Sequence, residues 1–287
     1  MSRTPPKVAC SCEDYQRIRA TANHDKNHFT TLGQCMNKYG KLAAWVYHLD
    51  KPIGRSFGDL EYYQQRLAGL DGPILEPAVG NGRIFVPLLE TGLAIEGFDA
   101  SQEMLGHCRQ ECLSRQLATP LTCQMFDTFS YDKDFAAIIM PAGSFQLITD
   151  VTSALNVLKR FHDHLLPGGK MMLDIDPISS FFEVNSHVRS WKAENGDLLT
   201  LTAPPPEMDH VAQTSLSYLR YEHWRDGALM GTELDLFHLR WWGIEELAFA
   251  LRAAGFTDIV VSGNYRYRQK PQKDSYAISF EASRPTC

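Results

Sequence analysis

The chain has 287 residues, 44% hydrophobic and 22% charged, so it reads as one large globular core with room for an insertion or cap. A net charge of −6, from 28 basic and 34 acidic residues, argues against a strong nucleic-acid binder, which usually carries a basic stripe. Seven scattered cysteines, a start without a signal-type apolar region and no apolar run near the roughly 20 residues of a membrane span lead to the expectation of a cytoplasmic chain with reduced thiols and no membrane contact.

Residues 1–30 are polar and weakly patterned. Cys10, Cys12, His24, His28 and Cys35 lie there or nearby, but their spacing fits no standard zinc finger, and no metal is expected. Leu32, Met36, Tyr39, Ala43 and Val46 predict a helix over 31–49. The loop KPIGRSFGD follows, then a helix over 59–70 with Asp59 as its N-cap.

After Gly72-Pro73 the rhythm becomes that of alternating strands and helices. PILEPA predicts a first strand running into a glycine turn, and GRIFVPLLETG a helix closing at Gly92. LAIEGFD is a second strand, and a helix capped by Ser101 follows it, with Cys108 and Cys112 packing one turn apart. LTCQMFD is a third strand, FAAIIM a fourth, then a helix over 150–165 and a fifth strand, KMMLDID. His162 and His164 sit late in that helix, where a cation suits the helix dipole. Such alternation predicts parallel βαβ units.

Between 177 and 242 the alternation stops. LLTLTA, TSLSYLRYEHW and LMGTELDLFHLRWW read as antiparallel strands, with Arg225-Asp226-Gly227 as a hairpin turn. The helix GIEELAFALRAAGF and the strands DIVVSG and YAISFEA then resume the first pattern. The expected division is 1–62 as an N-terminal arm and helical cap, 63–176 plus 243–287 as an α/β, doubly wound, mostly parallel seven-stranded core, and 177–242 as an inserted antiparallel β lid.

A parallel sheet binds ligands beyond the carboxyl ends of its strands. Gly80 and Gly82 follow the first strand and let a ligand approach the backbone. A dinucleotide fingerprint would need a third glycine where Phe85 stands, and Glu76 would repel a pyrophosphate. That carboxylate suits an amino group instead. Asp99 at the second strand's end is placed for ribose hydroxyls, and Asp127 at the third strand's end for an adenine amine. An amino acid joined to adenosine has these three features.

E-P-A-V-G-N-G (76–82), the F-D-A-S of the second strand, the F-D of the third and L-L-P-G-G-K-M-M-L-D (165–174) together resemble the class I S-adenosylmethionine-dependent methyltransferases. The segment Pro141-Ala142-Gly143-Ser144-Phe145-Gln146 and the stretch WVYHLDKPIGRSFGDLEYY are similar to their small-molecule branch. The resemblance implies S-adenosylmethionine as cofactor and a Rossmann-like fold. It implies that Glu76, Ala78, Gly80 and Gly82 hold the methionyl part, and Asp99 the ribose. Ala100 and Met104 would lie beside the adenine, with Asp127 and Thr128 flanking it. Met140, Pro141, Ala142 and Ser144 would line the floor near the sulfonium, and Tyr47 and Arg55 would close over the cofactor, Arg55 pairing with its carboxylate.

Such a reaction is an in-line displacement governed by proximity and orientation, and needs a base only for a protonated acceptor. No residue is singled out as that base. The insertion carries Trp191, Tyr218, Tyr221, Trp224, Phe237, Trp241 and Trp242, which suit an enclosed small-molecule acceptor. Phe145, Arg189, Tyr221, His223, His238, Arg240 and Trp241 are candidates to contact it, although aromatics at a two-residue period also read as core. Lid strands pairing between subunits would give a homodimer. The rivals are a protein or nucleic-acid methyltransferase and a non-catalytic S-adenosylmethionine-binding subunit. The Met140-Pro141-Ala142-Gly143 sequence lacks the Asn/Asp-Pro-Pro-aromatic tetrad that grips a flipped base, and the intact glycine turn opposes the non-catalytic subunit.

Overall fold

The computed structural model describes residues 39–182 and 186–286. The cluster Cys10, Cys12, His24, His28, Cys35 and the first part of the 31–49 helix lie outside them. Helix α1 spans Lys41–Asp50 and α2 spans Asp59–Leu67. The core strands are β1 (Ile74–Pro77), β2 (Ile95–Asp99), β3 (Leu121–Cys123), β4 (Phe135–Met140) and β5 (Leu165–Ile175). Between them run α3 (Phe85–Glu90), α4 (Gln102–Ser114) and α5 (Val151–Asp163). A short α6 (Ile178–Phe182) precedes β6 (His187–Lys192), β7 (Leu198–Ala203), β8 (Glu207–Asp209), β9 (Thr214–Arg225) and β10 (Ala228–Arg240). Helix α7 (Ile244–Ala253) and strands β11 (Thr257–Gly263) and β12 (Ile278–Ser283) complete the core. Among the described residues no helix is long and apolar enough to cross a membrane.

The main sheet has seven strands in the order β11-β12-β5-β4-β1-β2-β3. All run parallel except β12, which enters antiparallel between β5 and β11. The order reverses at β1 beside β4, where a doubly wound sheet opens its ligand crevice. All six residues of β4 are buried, which is why it reads as an unbroken apolar run rather than an alternating one. Each such Ile or Met contributes about 1.5–3 kcal/mol on burial. One core cluster gathers Leu75, Phe98, Phe135, Phe161 and Trp242, the other Tyr63, Ile74, Phe85 and Cys108. Cys108 and Cys112 are both buried, as their spacing leads one to expect.

Local signals explain the helix ends. The Ser101 hydroxyl accepts from the Met104 amide at 3.1 Å, and the Asp150 carboxylate from that of Ser153 at 2.7 Å. Asp59 is not the N-cap of α2. Gly58, at φ +92°, takes that position, which frees the Asp59 side chain for another partner.

The second sheet runs β10-β9-β7-β6, with β8 on β9. The β9–β10 hairpin turns at Asp226 and Gly227, both with positive φ, the backbone of a type I′ turn. Sequence patterning misses β6 because it is a largely exposed edge strand without an apolar face, and β8 because it has three residues. Helix α1 lays Leu42, Ala43 and Val46 against Leu199, Leu201 and Tyr221 of this sheet. The Glu233 carboxylate of β10 accepts from the Leu42 and Ala43 amides at 3.0 and 3.2 Å, so the sheet supplies the helix with its N-terminal cap. At its other end α1 meets the core through the stacked rings of His48 and His107, 4.6 Å apart.

Candidate functional site

Strand β1 ends in Glu76, which is 2% exposed. Its Oε2 is sealed from solvent and has no hydrogen-bond partner. Burial pushes its carboxyl well above the usual range, and the nearby Arg83 charge only partly opposes this. The turn after it holds Ala78, Gly80 and Gly82 in left-handed conformation, at φ 54°, 59° and 88°. A Cβ at Gly82 would lie 2.6 Å from Cys108 Sγ, and one at Gly80 would lie 3.2 Å from Met104 Cε. The turn is therefore pressed against α4, with Met104 directly beneath Gly80. Asp99, at the end of β2, accepts from the Gly80 amide through Oδ2 (2.9 Å) and from the Ser101 amide through Oδ1 (2.8 Å). Burial raises its carboxyl despite these donors. Ala100 follows it, exposed at the crevice. Glu76, Ala78, Gly80, Gly82, Asp99 and Met104 are thus brought together.

Asp127 is not. Strand β3 stops at Cys123, four residues before it, because the Met125 carbonyl accepts from the Thr128 and Phe129 amides and curls the chain into a turn. Asp127 and Thr128 are exposed there, and Asp127 lines a different cavity, of about 600 Å³, with Ser153, Asn156 and His164.

The turn has a buried arginine that patterning does not single out. Arg83, 4% exposed, donates from Nη2 to Asp59 Oδ2 (2.5 Å) and from Nη1 to the Arg55 carbonyl (2.6 Å). Asn81 donates to the Lys51 carbonyl at 2.9 Å. The 51–59 loop is thereby fastened to the glycine turn. Arg55, expected as the carboxylate clamp, contributes its backbone; its guanidinium is exposed, 5.5 Å from the Phe57 ring centre. Tyr47 is half-buried and carries the Lys51 ammonium 4.9 Å over its ring.

Beyond β4, Met140, Pro141 and Gly143 are buried and Ala142 is exposed, and Ala142 (φ 59°) and Gly143 (φ 70°) turn the chain. The Ala142 amide donates to Asp174 Oδ2 at 3.3 Å, as does the Tyr265 hydroxyl at 3.2 Å. Burial pushes the Asp174 carboxyl up to about 7, against the Tyr63 and Ser279 hydroxyls that favour its ionised form. Because the folded value exceeds the unfolded one of about 3.9, this group's contribution to stability is complete below pH ~4 and is lost as pH rises through 7. Asp174→Asn is expected to remove up to roughly 4 kcal/mol of the stability difference between those limits. Urea denaturation of both proteins at pH 4.5 and 8 measures it; parallel pH dependence in the two would contradict the assignment.

Several expected acceptor contacts are structural instead. Phe145 is fully buried against Trp242, ring centres 5.5 Å apart. Tyr221 packs under α1. Arg240 is buried and bonded to the Ala212 carbonyl, Gln213 and Glu246. Trp241 packs on Phe181 and Phe182. Arg189 pairs with Asp50 and so ties β6 to α1. His223 is held by Asp197 at 2.7 Å. Ser144 is half-buried and donates to the Pro141 carbonyl. His238 is half-buried, and burial lowers its imidazole. It stands on β10 in alternation with Phe237 and Leu239, so it points to the opposite face of the sheet.

Phe237 and Leu239 line a chamber of about 190 Å³ with Ser215 and Ser217 of β9 and with Asp176 and Ser180 beyond β5. Asp176 borders the 141–144 turn as well. Its amide donates to Gln146 Oε1 at 2.8 Å, and its Oδ2 would stand 3.3 Å from a Cβ at Gly143. The chamber therefore opens beside the floor of the crevice.

Residues 74–169 match the family described as "Methyltransferase domain". A protein of Bacillus subtilis (strain 168) named "Putative methyltransferase YqeM" is 28% identical over 113 residues, 39% of this chain and 46% of that protein, so the match spans about half of the relative's length. The crystal structure of an S-adenosylmethionine-dependent methyltransferase from Clostridium acetobutylicum ATCC 824 superposes with a TM-score of 0.68 at 18% identity, over 87% of this chain and 100% of that one. The structure of SAM-bound CalS10, an amino pentose methyltransferase from Micromonospora echinaspora involved in calicheamicin biosynthesis, does so with a TM-score of 0.62 at 18% identity, over 86% and 98%.

Proposed function

We propose that this chain, whose residues 74–169 match the methyltransferase domain family and whose fold is shared with an S-adenosylmethionine-dependent methyltransferase, transfers a methyl group from S-adenosylmethionine to a small molecule. The observation that carries this reading is the sealed, unpartnered carboxylate Glu76 Oε2 beside a glycine turn. A buried acid without a partner costs stability, and a ligand ammonium supplies the missing donor. Gly80 and Gly82 let the turn pack closely on α4 beneath the ligand's place. Asp99 keeps lone pairs beyond its two amide bonds for a pair of ribose hydroxyls.

S-adenosylmethionine supplies a methyl already activated by a positive sulfur, so the chain's task is to bind, orient and exclude water. Fixed orientation of this kind is worth up to roughly 7–11 kcal/mol of barrier. In the proposed division, residues 63–176 and 243–287 hold the cofactor. Residues 177–242, with α1 packed against them, hold the acceptor. A chamber of about 190 Å³ is smaller than the roughly 300–1,000 Å³ of sites for drug-sized ligands, which favours a compact acceptor group. Calorimetric titration is expected to show saturable binding of S-adenosylhomocysteine and none of NAD. The reverse result would end the proposal.

A further inference from the structure

The residue between the two turn glycines commits every polar atom of its side chain to the protein. Asn81, 1% exposed, accepts from the Arg83 amide through Oδ1 (3.2 Å), and its Nδ2 donates to the Lys51 carbonyl (2.9 Å) and to His48 Nδ1 (3.3 Å). Resting on the methyltransferase reading, we propose that His48 is a positioning residue for the cofactor. With Nδ1 unprotonated it clamps Asn81, and through it the glycine turn, to the end of α1; a proton on Nδ1 opens that clamp and weakens cofactor binding.

The geometry dictates the state of the ring. The Arg83 amide and the Lys51 carbonyl settle which end of the Asn81 amide is oxygen and which is nitrogen. An amide NH2 only donates, so His48 Nδ1 has to offer a lone pair. The hydrogen of the neutral ring then sits on Nε2, 3.4 Å from Glu111 Oε1 on α4. A proton added at Nδ1 would set N–H against N–H and cost a buried amide its acceptor. The ring stacked on His48, at 4.6 Å and 15°, is the imidazole of His107, so the same acidification places two cations face to face. Burial is the largest influence on both rings and lowers both, and His48 lowers His107 further. The charges facing them are Glu111, which favours the imidazolium, and Arg115, which opposes it at His48 and is itself paired with Glu111 and with Glu90 of α3. The clamp is therefore complete above about pH 6.5, the ordinary histidine value, and is lost as pH falls below it.

The clamp acts at the turn that would carry the methionyl end. On one side Asp99 holds this turn through the Gly80 amide at 2.9 Å. On the other, Asn81 and Arg83 fasten it to Lys51, Arg55 and Asp59. His48 adds α1, the helix whose Leu42, Ala43 and Val46 pack on the second sheet. One imidazole thus couples the glycine turn to the cap helix and to the sheet behind it. Asn81 keeps no free donor or acceptor for a ligand, so both residues act on the cofactor through the position of the turn.

The test reads S-adenosylhomocysteine affinity of the full chain by calorimetry at pH 7.5 and 5.5, in the natural protein, His48→Gln and His48→Leu. Glutamine offers an oxygen acceptor that does not titrate, and leucine offers none. At pH 7.5 His48→Leu should bind roughly 3- to 10-fold more weakly, the worth of one such hydrogen bond, and His48→Gln should recover part of that loss. Between pH 7.5 and 5.5 the natural chain should lose about threefold or more beyond what His48→Gln loses; titration of Glu76 is common to both and cancels. Nitrogen NMR of labelled histidine should show the His48 ring neutral at pH 7.5, with its hydrogen on Nε2. The inference is overturned if the natural chain and His48→Gln lose affinity equally on acidification, if His48→Leu binds as tightly as the natural chain at pH 7.5, or if Nδ1 carries the hydrogen. If the natural chain binds no S-adenosylhomocysteine, the methyltransferase reading itself fails, and this inference with it.

Discussion

Glu76→Gln is expected to weaken S-adenosylhomocysteine binding by roughly 30- to 1,000-fold, the cost of about 2–4 kcal/mol for removing one partner of a buried charge pair, while leaving the free protein at least as stable as before. The two halves of this expectation have one cause. In the free protein burial raises the Glu76 carboxyl well above its usual range, so it holds its proton more tightly than a solvated glutamate, and a neutral amide costs the free fold little. With an ammonium beside it the carboxyl ionises and releases a proton. Affinity should therefore rise with pH until the free carboxyl titrates. Titrations in two buffers of different ionisation enthalpy should reveal more proton release on binding in the natural chain than in the variant. Equal affinity in both proteins would show that Glu76 does not meet the ammonium.

Gly82→Val should act in the opposite sense, on the fold before the ligand. Gly82 has φ +88°, and its new Cβ would meet Cys108 Sγ at 2.6 Å and Val86 Cγ2 at 2.9 Å, both inside the core. The left-handed backbone costs about 1–2 kcal/mol for a residue with a Cβ, and overpacking a further 1–3 kcal/mol. The sum, roughly 2–5 kcal/mol, is a large part of a typical domain's stability. Gly92→Val is the control, since Gly92 shares the positive φ (84°) with nothing within 4 Å of its Cβ position. Urea midpoints should fall much further for the first than for the second. Equal losses would mean that backbone conformation alone, not the contact with α4, requires glycine at 82.

The parts of this architecture that sequence makes legible are those where chain neighbours set the physics. β1 and β4 are apolar runs because both faces are covered, and Glu76 and Asp99 stand out because charge interrupts such runs at the strand tips. Asp127 follows an edge strand of three residues, where the end of pairing depends on a turn that the apolar pattern does not mark. The Asp59–Arg83 pair joins residues 24 apart, so nothing local announces it. Tyr221, Arg240 and Trp241 carry the right chemistry for an acceptor site but lie where distant chain covers them: α1 over Tyr221, Glu246 and Ala212 on Arg240, α6 on Trp241. Period-two aromatics reveal that a strand has two faces, and the choice between them is made by a helix about 180 residues upstream.

The Glu233 cap on α1 carries a consequence for how such a chain can diversify. A recombination that exchanged residues 177–242 alone would strip α1 of its borrowed carboxylate and set Leu42 and Val46 against a foreign surface. The early helix and the late sheet are thus a single inheritance, two distant pieces of gene that new acceptor preferences must revise together.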